Sequence, residues 1–229
     1  VCEGDSAGFT VVAIGSGLTY QWRIGVINLI DGGAISGANN DTLEINPTTL
    51  LNANTNYNVV VTGNCLPAVT SNNIELVINT PPVILTQPTN QTVCEGTSVT
   101  FTTVVSGSGL TYQWKKGAVN MVNGGAIAGA TSPNLTINPA NLLDAATDYH
   151  LVISGACQPN DTSVMVSLVV NPLTLITTQP TNMTVCAGDS AGFTVVASGS
   201  NLTYQWRIGL INLIDGGAVS GANNDTLTI

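Results

Sequence analysis

Charge is scarce in this chain of 229 residues. Only 7% of them are charged, with four Lys and Arg against thirteen Asp and Glu for a net charge of −9; ordinary globular domains carry roughly 25% charged residues. A chain without a basic surface cannot displace counterions from phosphates, which excludes nucleic acid and anionic lipid as partners. There is one histidine, His150. No CxxC pair, histidine cluster or EF-hand spacing accompanies it, and no serine or threonine has a partnered base. No catalytic, cofactor-binding or metal-binding residue is therefore assigned, and the protein is not expected to be an enzyme. Long apolar runs are missing as well. None approaches the roughly 18–20 residues that a bilayer span requires, so no membrane insertion is expected in this segment.

What is present is repetition. Cys94 follows Cys2 by 92 residues, Cys157 follows Cys65 by 92, and Cys186 follows Cys94 by 92. A fixed spacing of this kind marks an array. The chain holds two such units and 45 residues of a third. Residues 1–45 and 185–229 agree at 39 of 45 positions, whereas 93–137 agrees with 1–45 at 26. Cysteines at a fixed phase without zinc spacing read as disulfides, and disulfides belong to an oxidising, extracellular setting. The length predicts that these residues are a stretch of a much longer array, beginning and ending inside a repeat.

Within each unit, apolar and polar residues alternate over short stretches separated by Gly, Asn and Pro, which predicts two-faced antiparallel strands. Ala7, Phe9 and Val11 share one face, as do Leu18, Tyr20 and Trp22, then Leu43 and Ile45, then Tyr57, Val59 and Val61, and then Ile74, Leu76 and Ile78. One helical turn is expected near Thr49–Ala53 and nothing longer. About seven strands in 92 residues predict an all-β fold of tandem β-sandwiches. The units are expected at 1–79 (lacking its first strand), 80–171, and 172–229 (lacking its last strands). Between them, Thr80-Pro81-Pro82 and Asn171-Pro172 are short proline-bearing links, which predict an extended rod with stiff joints.

The run Pro82-Val83-Ile84 to Gln87-Pro88, followed by Val93-Cys94-Glu95-Gly96 and Val99-Thr100-Phe101, resembles strands A to B of an immunoglobulin-like domain. Thr111-Tyr112-Gln113-Trp114 resembles strand C with its buried tryptophan, and Leu135-Thr136-Ile137 resembles strand E. Asp144 to Tyr149 is similar to the tyrosine corner before strand F. More narrowly, the repeats resemble tandem immunoglobulin-like units of large Bacteroidetes surface proteins, including gliding-motility adhesins exported by type 9 secretion. The resemblance implies core roles for Trp22, Trp114, Trp206, Tyr57 and Tyr149. It also implies candidate O-glycosylation at Asp-Ser/Thr-aliphatic sequences, on Ser6, Thr42, Ser190 and Thr226. The Asn-x-Thr sequons are read as β-sheet composition.

The cysteines depart from the immunoglobulin pattern. The usual bridge positions in strands B and F are filled by Val11 and Val59, or by Thr103 and Leu151. Threaded on the fold, Cys2 lies at the turn before strand B and Cys65 near the F–G tip, at opposite ends of a sandwich some 30 Å long. A bridge requires Cα atoms within about 7 Å. An inter-domain bridge Cys2–Cys157 satisfies this, with Cys65, Cys94 and Cys186 bonded to other repeats. The spacing also allows Cys2–Cys65 and Cys94–Cys157, with Cys186 unpaired, and both pairings stay open.

Three further features are weighed. His150 has Asn58 as its counterpart and is expected to be an exposed strand residue. Asp144 and Asp148 have Asn52 and Asn56 as counterparts, which favours turn chemistry over calcium. The apolar segment Gly25–Ile35, recurring at Gly209–Val219, is expected to cover the sandwich edge, with an interface between domains or lateral copies as the alternative. The functional expectation is a structural segment of an extracellular stalk or filament of a bacterial surface adhesin. Its partners would be neighbouring repeats, with lateral copies of the filament as further ones. The alternative is a set of glycan- or surface-binding modules. Filament growth by strand exchange is disfavoured, because a start without strand A and an end without F and G do not complete each other.

Overall fold

The computed structural model describes all 229 residues. It is built almost entirely from short β-strands, with two 3-10 turns at Leu50–Asn52 and Leu142–Asp144.

The first repeat packs two sheets face to face. One has Ala7–Thr10, Thr42–Ile45 and Ile35–Ser36. In the other, Thr19–Ile24 lies between Ile27–Asn28 and the nine-residue strand Asn54–Thr62, which also pairs with Val69–Thr70 and Ile74–Leu76. Alternation decides which side chains meet between them, since successive residues of a strand face opposite ways. Ala7, Trp22, Leu43, Ile45, Tyr57, Val59, Leu76 and Ile78 form the core, with Phe9, Val11 and Tyr20 packed against it. Ile74 lies outside this core and is exposed.

The second repeat reproduces this arrangement and extends it. Gln91–Cys94 adds a parallel strand beside Val166–Asn171, and Val83–Thr86 pairs with Val104–Ser106. Its core has 15 buried residues, against 8 in the first repeat. The added Ile84 explains part of the difference. In residues 172–229 only three strand pairs form, Leu175–Thr178 with Val196–Ser198, Gly192–Thr194 with Thr226–Thr228, and Arg207–Ile208 with Ile211–Asn212.

Local chemistry accounts for the recurring shapes. The hairpin after each tryptophan strand turns on two residues, Gly25-Val26 in the first repeat, and Gly25 has φ +60 as a tight reversal of this kind demands. The Gln side chain before each tryptophan ties that hairpin down. Gln21 Nε2 donates to the carbonyls of Trp22 and Leu29, both at 2.9 Å, and Gln113 and Gln205 do the same in their repeats. Asp31, Asn123 and Asp215 each accept from the backbone N–H of Ala38, Ala130 and Ala222 at 2.7 Å. Gly37, Gly129 and Gly221 lie so close to the carbonyls of Thr42, Asn134 and Thr226 that a Cβ would overlap them.

One expectation requires correction. His150 is buried, at 8% exposure, as is its counterpart Asn58 at 3%. His150 lies on the outward phase of Ala146–Ser154, between the core residues Tyr149 and Leu151, in a strand paired on both sides. His150 Nδ1 lies 3.1 Å from the carbonyl of Asp148. Trp206 is half-buried and donates its indole N–H to the Asn224 carbonyl at 2.9 Å. Trp22 and Trp114 are enclosed because Val59 and Leu151 stand opposite them on the long strands Asn54–Thr62 and Ala146–Ser154. Residues 172–229 contain no such strand.

Candidate functional site

The most elaborate constellation in the chain is the joint between the first two repeats. Cys2 sits at the lower end of the first sandwich. Its backbone pairs with Asn79, Glu3 N–H donates to the Asn79 carbonyl at 2.9 Å, and Thr48 Oγ1 donates to the Cys2 carbonyl at 3.0 Å. A turn fixed at three points therefore aims the sulfur at the next domain. On the other side, Cys157 is on the connection after Ala146–Ser154, where Ala156 N–H donates to the Ser108 carbonyl at 2.8 Å.

The two cysteines are bonded, with Cα atoms 5.8 Å apart. This is an ordinary separation for a disulfide. Beneath the bridge, Thr80 N–H donates to Ser108 Oγ and Ser108 N–H to the Thr80 carbonyl, both at 3.1 Å. Gly107 and Gly155 pack against Pro81 and Pro82 so closely that a Cβ on either would meet the link within about 3 Å. The joint thus has two covalent connections, the peptide link and the disulfide, with a hydrogen-bonded clamp between them.

Cys65, Cys94 and Cys186, expected to bond with other repeats, have no partner among residues 1–229 and are exposed. Cys94 holds the Cys2 place in its repeat, pairing with Asn171 as Cys2 pairs with Asn79. The residues after the second joint contain one cysteine, Cys186, which is itself at the Cys2 phase and lies at the wrong end. The second joint also lacks the clamp, since Pro172 stands at the Thr80 phase and has no N–H.

The remaining candidates are structural in their contacts. Tyr57 Oη donates to the Asn52 carbonyl at 2.8 Å and Tyr149 Oη to the Asp144 carbonyl at 2.7 Å. Burial raises both hydroxyl pKa values, and with the added effect of Asp144 and Asp148 that of Tyr149 reaches about 12. Asp144 accepts from Asn141 N–H at 2.8 Å, capping the 3-10 turn. Trp22 and Trp114 each donate their indole N–H to a backbone carbonyl at 3.0 Å, Asn40 and Ser132 respectively. The structure gathers no group of three or more His, Cys, Asp or Glu that could hold a metal ion. Ser6, Thr42, Ser190 and Thr226 are exposed, with Thr42 and Thr226 in cross-strand hydroxyl pairs. The apolar hairpin divides its roles: Leu29, Ala34 and Ile35 pack on the core, while Val26, Ile27 and Ile30 are 89%, 70% and 79% exposed. No helix is long and apolar enough to cross a membrane.

The fold is that of tandem immunoglobulin-like domains. Across its whole length the chain is similar to an I-band fragment from titin (TM-score 0.70, 16% identity, 83% of that chain covered). A Glu-to-Ala variant described as a 3Ig structure of titin gives the same values. Sidekick-1 immunoglobulin domains 1–5 align with all of this chain and 51% of that one, at 19% identity and TM-score 0.49. Residues 84–172 match a family described as a domain of unknown function (DUF8696). No curated protein matches the sequence.

Proposed function

We propose that this chain is a load-bearing segment of an extracellular stalk or filament, in which serial sandwiches hold a distal part of a bacterial surface adhesin away from the cell. The proposed units are 1–79, 80–171 and 172–229. The observation that carries the reading is the Cys2–Cys157 bridge across a clamped joint. Tension entering at Val1 passes through the sulfurs to Cys157 and bypasses the intervening residues 3–156. The low charge fits the same role, because packing and covalent links, unlike surface ion pairs, are not weakened by salt. The repeat resemblance favours a Bacteroidetes surface protein exported by type 9 secretion and serving gliding or adhesion, with Ser6, Thr42, Ser190 and Thr226 as exposed positions for O-glycosylation.

Single-molecule stretching between the two ends tests the load path. The bridge spans 155 residues of separation. At about 3.5 Å per extended residue, reduction should release roughly 500 Å of additional length that the oxidised chain never yields. Equal extension with and without reductant would sink the proposal.

A further inference from the structure

The sequence contains a single Asn-Gly step, Asn123-Gly124, in the loop that joins Val119–Asn120 to Ile127–Ala128 in the second repeat. Such a step is chemically distinctive, because glycine has no Cβ to keep its backbone nitrogen away from the preceding side-chain amide. Asn123 and Gly124 are both exposed, and the space around Gly124 is open. Two hydrogen bonds hold the groups that would react. Ala130 N–H donates to Asn123 Oδ1 at 2.7 Å, and Gly124 N–H donates to the Ile127 carbonyl at 2.9 Å.

The first and third repeats carry aspartate at this phase. Ala38 and Ala222 N–H donate to the carboxylates of Asp31 and Asp215 at 2.7 Å, and Gly32 and Gly216 N–H donate to the carbonyls of Ile35 and Val219 at 2.9 Å. The backbone matches as well, with φ +143 at Gly124 against +150 at Gly32 and +149 at Gly216. The loop therefore accepts aspartate in place of Asn123 without a change of shape.

We infer that Asn123 is a site of spontaneous deamidation, gated by the folded loop around it. The reaction begins when Gly124 N, having lost its proton to water, attacks Asn123 Cγ. A C–N bond forms, the side-chain nitrogen takes a proton from water and leaves as ammonia, and a five-membered succinimide results. Water then opens the ring. Cleavage of the new N–Cγ bond gives aspartate, and cleavage of the original peptide bond gives isoaspartate; water is the one co-reactant, and nothing is oxidised or reduced. In the folded loop the Ile127 carbonyl holds the proton that must leave, and Oδ1 pins Cγ in place, so the reaction waits for the loop to open. The two products differ in consequence. Aspartate reproduces the acceptor of the other repeats. Isoaspartate adds an atom to the main chain and draws the carboxylate back, which leaves the N–H of the fully buried Ala130 without its acceptor. Because released ammonia is lost, the converted fraction records how long the loop has been open. The inference is independent of the load-bearing proposal, since it concerns one loop of the second repeat.

The test keeps the full chain in neutral buffer, folded or in guanidinium, and follows each asparagine by peptide mapping. Conversion in guanidinium should be fastest at Asn123 and at least about tenfold faster than in the folded chain, since modification of a closed loop tracks its open population. Gly124→Ala, compared in guanidinium where no fold is at stake, should slow it at least about tenfold. After refolding, aspartyl chains should regain slow exchange of the Ala130 amide and isoaspartyl chains should lose it. Asn123→Asp should melt with the parent or above it. Equal rates in the folded and unfolded chains, no effect of Gly124→Ala, a lower melting temperature for Asn123→Asp, or equal Ala130 protection in both products overturns the inference.

Discussion

Replacing Cys157 with serine isolates what the inter-domain bridge contributes. The side chain changes little in size, and its position is buried at 2% exposure, so the local packing of the second repeat should survive. What changes is the unfolded ensemble. A cross-link closing a loop of 155 residues removes chain entropy worth about 5 kcal/mol at 25 °C on the loop-closure relation, and bridges of this kind typically deliver about 2–4 kcal/mol. If the second repeat remains folded while the first opens, the relevant loop is roughly half as long, which lowers the loop-closure value only to about 4.5 kcal/mol because the dependence is logarithmic. For a domain of this size about 1 kcal/mol moves the melting temperature by roughly 4–8 °C, so even the low end predicts a fall of about 8 °C or more for the first repeat. The assay is scanning calorimetry of oxidised wild type, reduced wild type and the C157S chain, with hydrogen exchange assigning each transition to its repeat. Reduced wild type and the variant should coincide below oxidised wild type. A first-repeat transition that does not move on reduction or substitution would refute the reasoning.

Three other outcomes follow from particular contacts. Leu29→Lys should destabilise the first repeat by about 2 kcal/mol, because Leu29 packs on the core; Ile27→Lys, at an exposed position, should leave urea unfolding unchanged, and an equal loss in both would contradict the division of that hairpin. Gly129 has φ +80 and abuts the Asn134 carbonyl, so Gly129→Ala should cost on the order of 1–3 kcal/mol in chemical unfolding, whereas Gly8→Ala, where the nearest atom lies 3.8 Å from the added Cβ, should cost less. Tyr149 is held neutral in the folded state, with its pKa raised from 10.0 to about 12. The raised value means that this stabilisation is fully present below pH 10 and is lost as pH rises through about 12; Tyr149→Phe should remove that alkaline dependence while costing about 1 kcal/mol at neutral pH through the lost hydrogen bond. Tyrosinate absorbance followed alongside unfolding, comparing wild type with Tyr149→Phe, checks the last, and ionisation of Tyr149 at the ordinary value of 10.0 would contradict it.

Much of the architecture was legible because a sandwich is written in period two. Leu43 and Ile45 alternate with the polar Thr42, Glu44 and Asn46, and a strand so patterned can bury only one face. The 92-residue cysteine spacing showed the array directly. The pattern failed where burial depends on neighbours. His150 sits on the outward phase of its strand and is nevertheless covered. Period two does not report the ties made by Gln21, Gln113 and Gln205 to their hairpins; their signal in the sequence is a polar residue at one phase beside each tryptophan.

Composition and spacing by themselves determined that this is a low-charge, all-β chain of repeated units. The tertiary structure decided the cysteine pairing. Spacing admits Cys2 with Cys65 or with Cys157 equally well, and a disulfide responds only to where two Cα atoms lie in space. The first sandwich holds its two cysteines at opposite ends, and the proline link brings the far domain's cysteine to within 5.8 Å of Cys2. Sequence periodicity reports which face of a strand is apolar, but the meeting of two domain ends depends on how each sandwich folds and on the link between them.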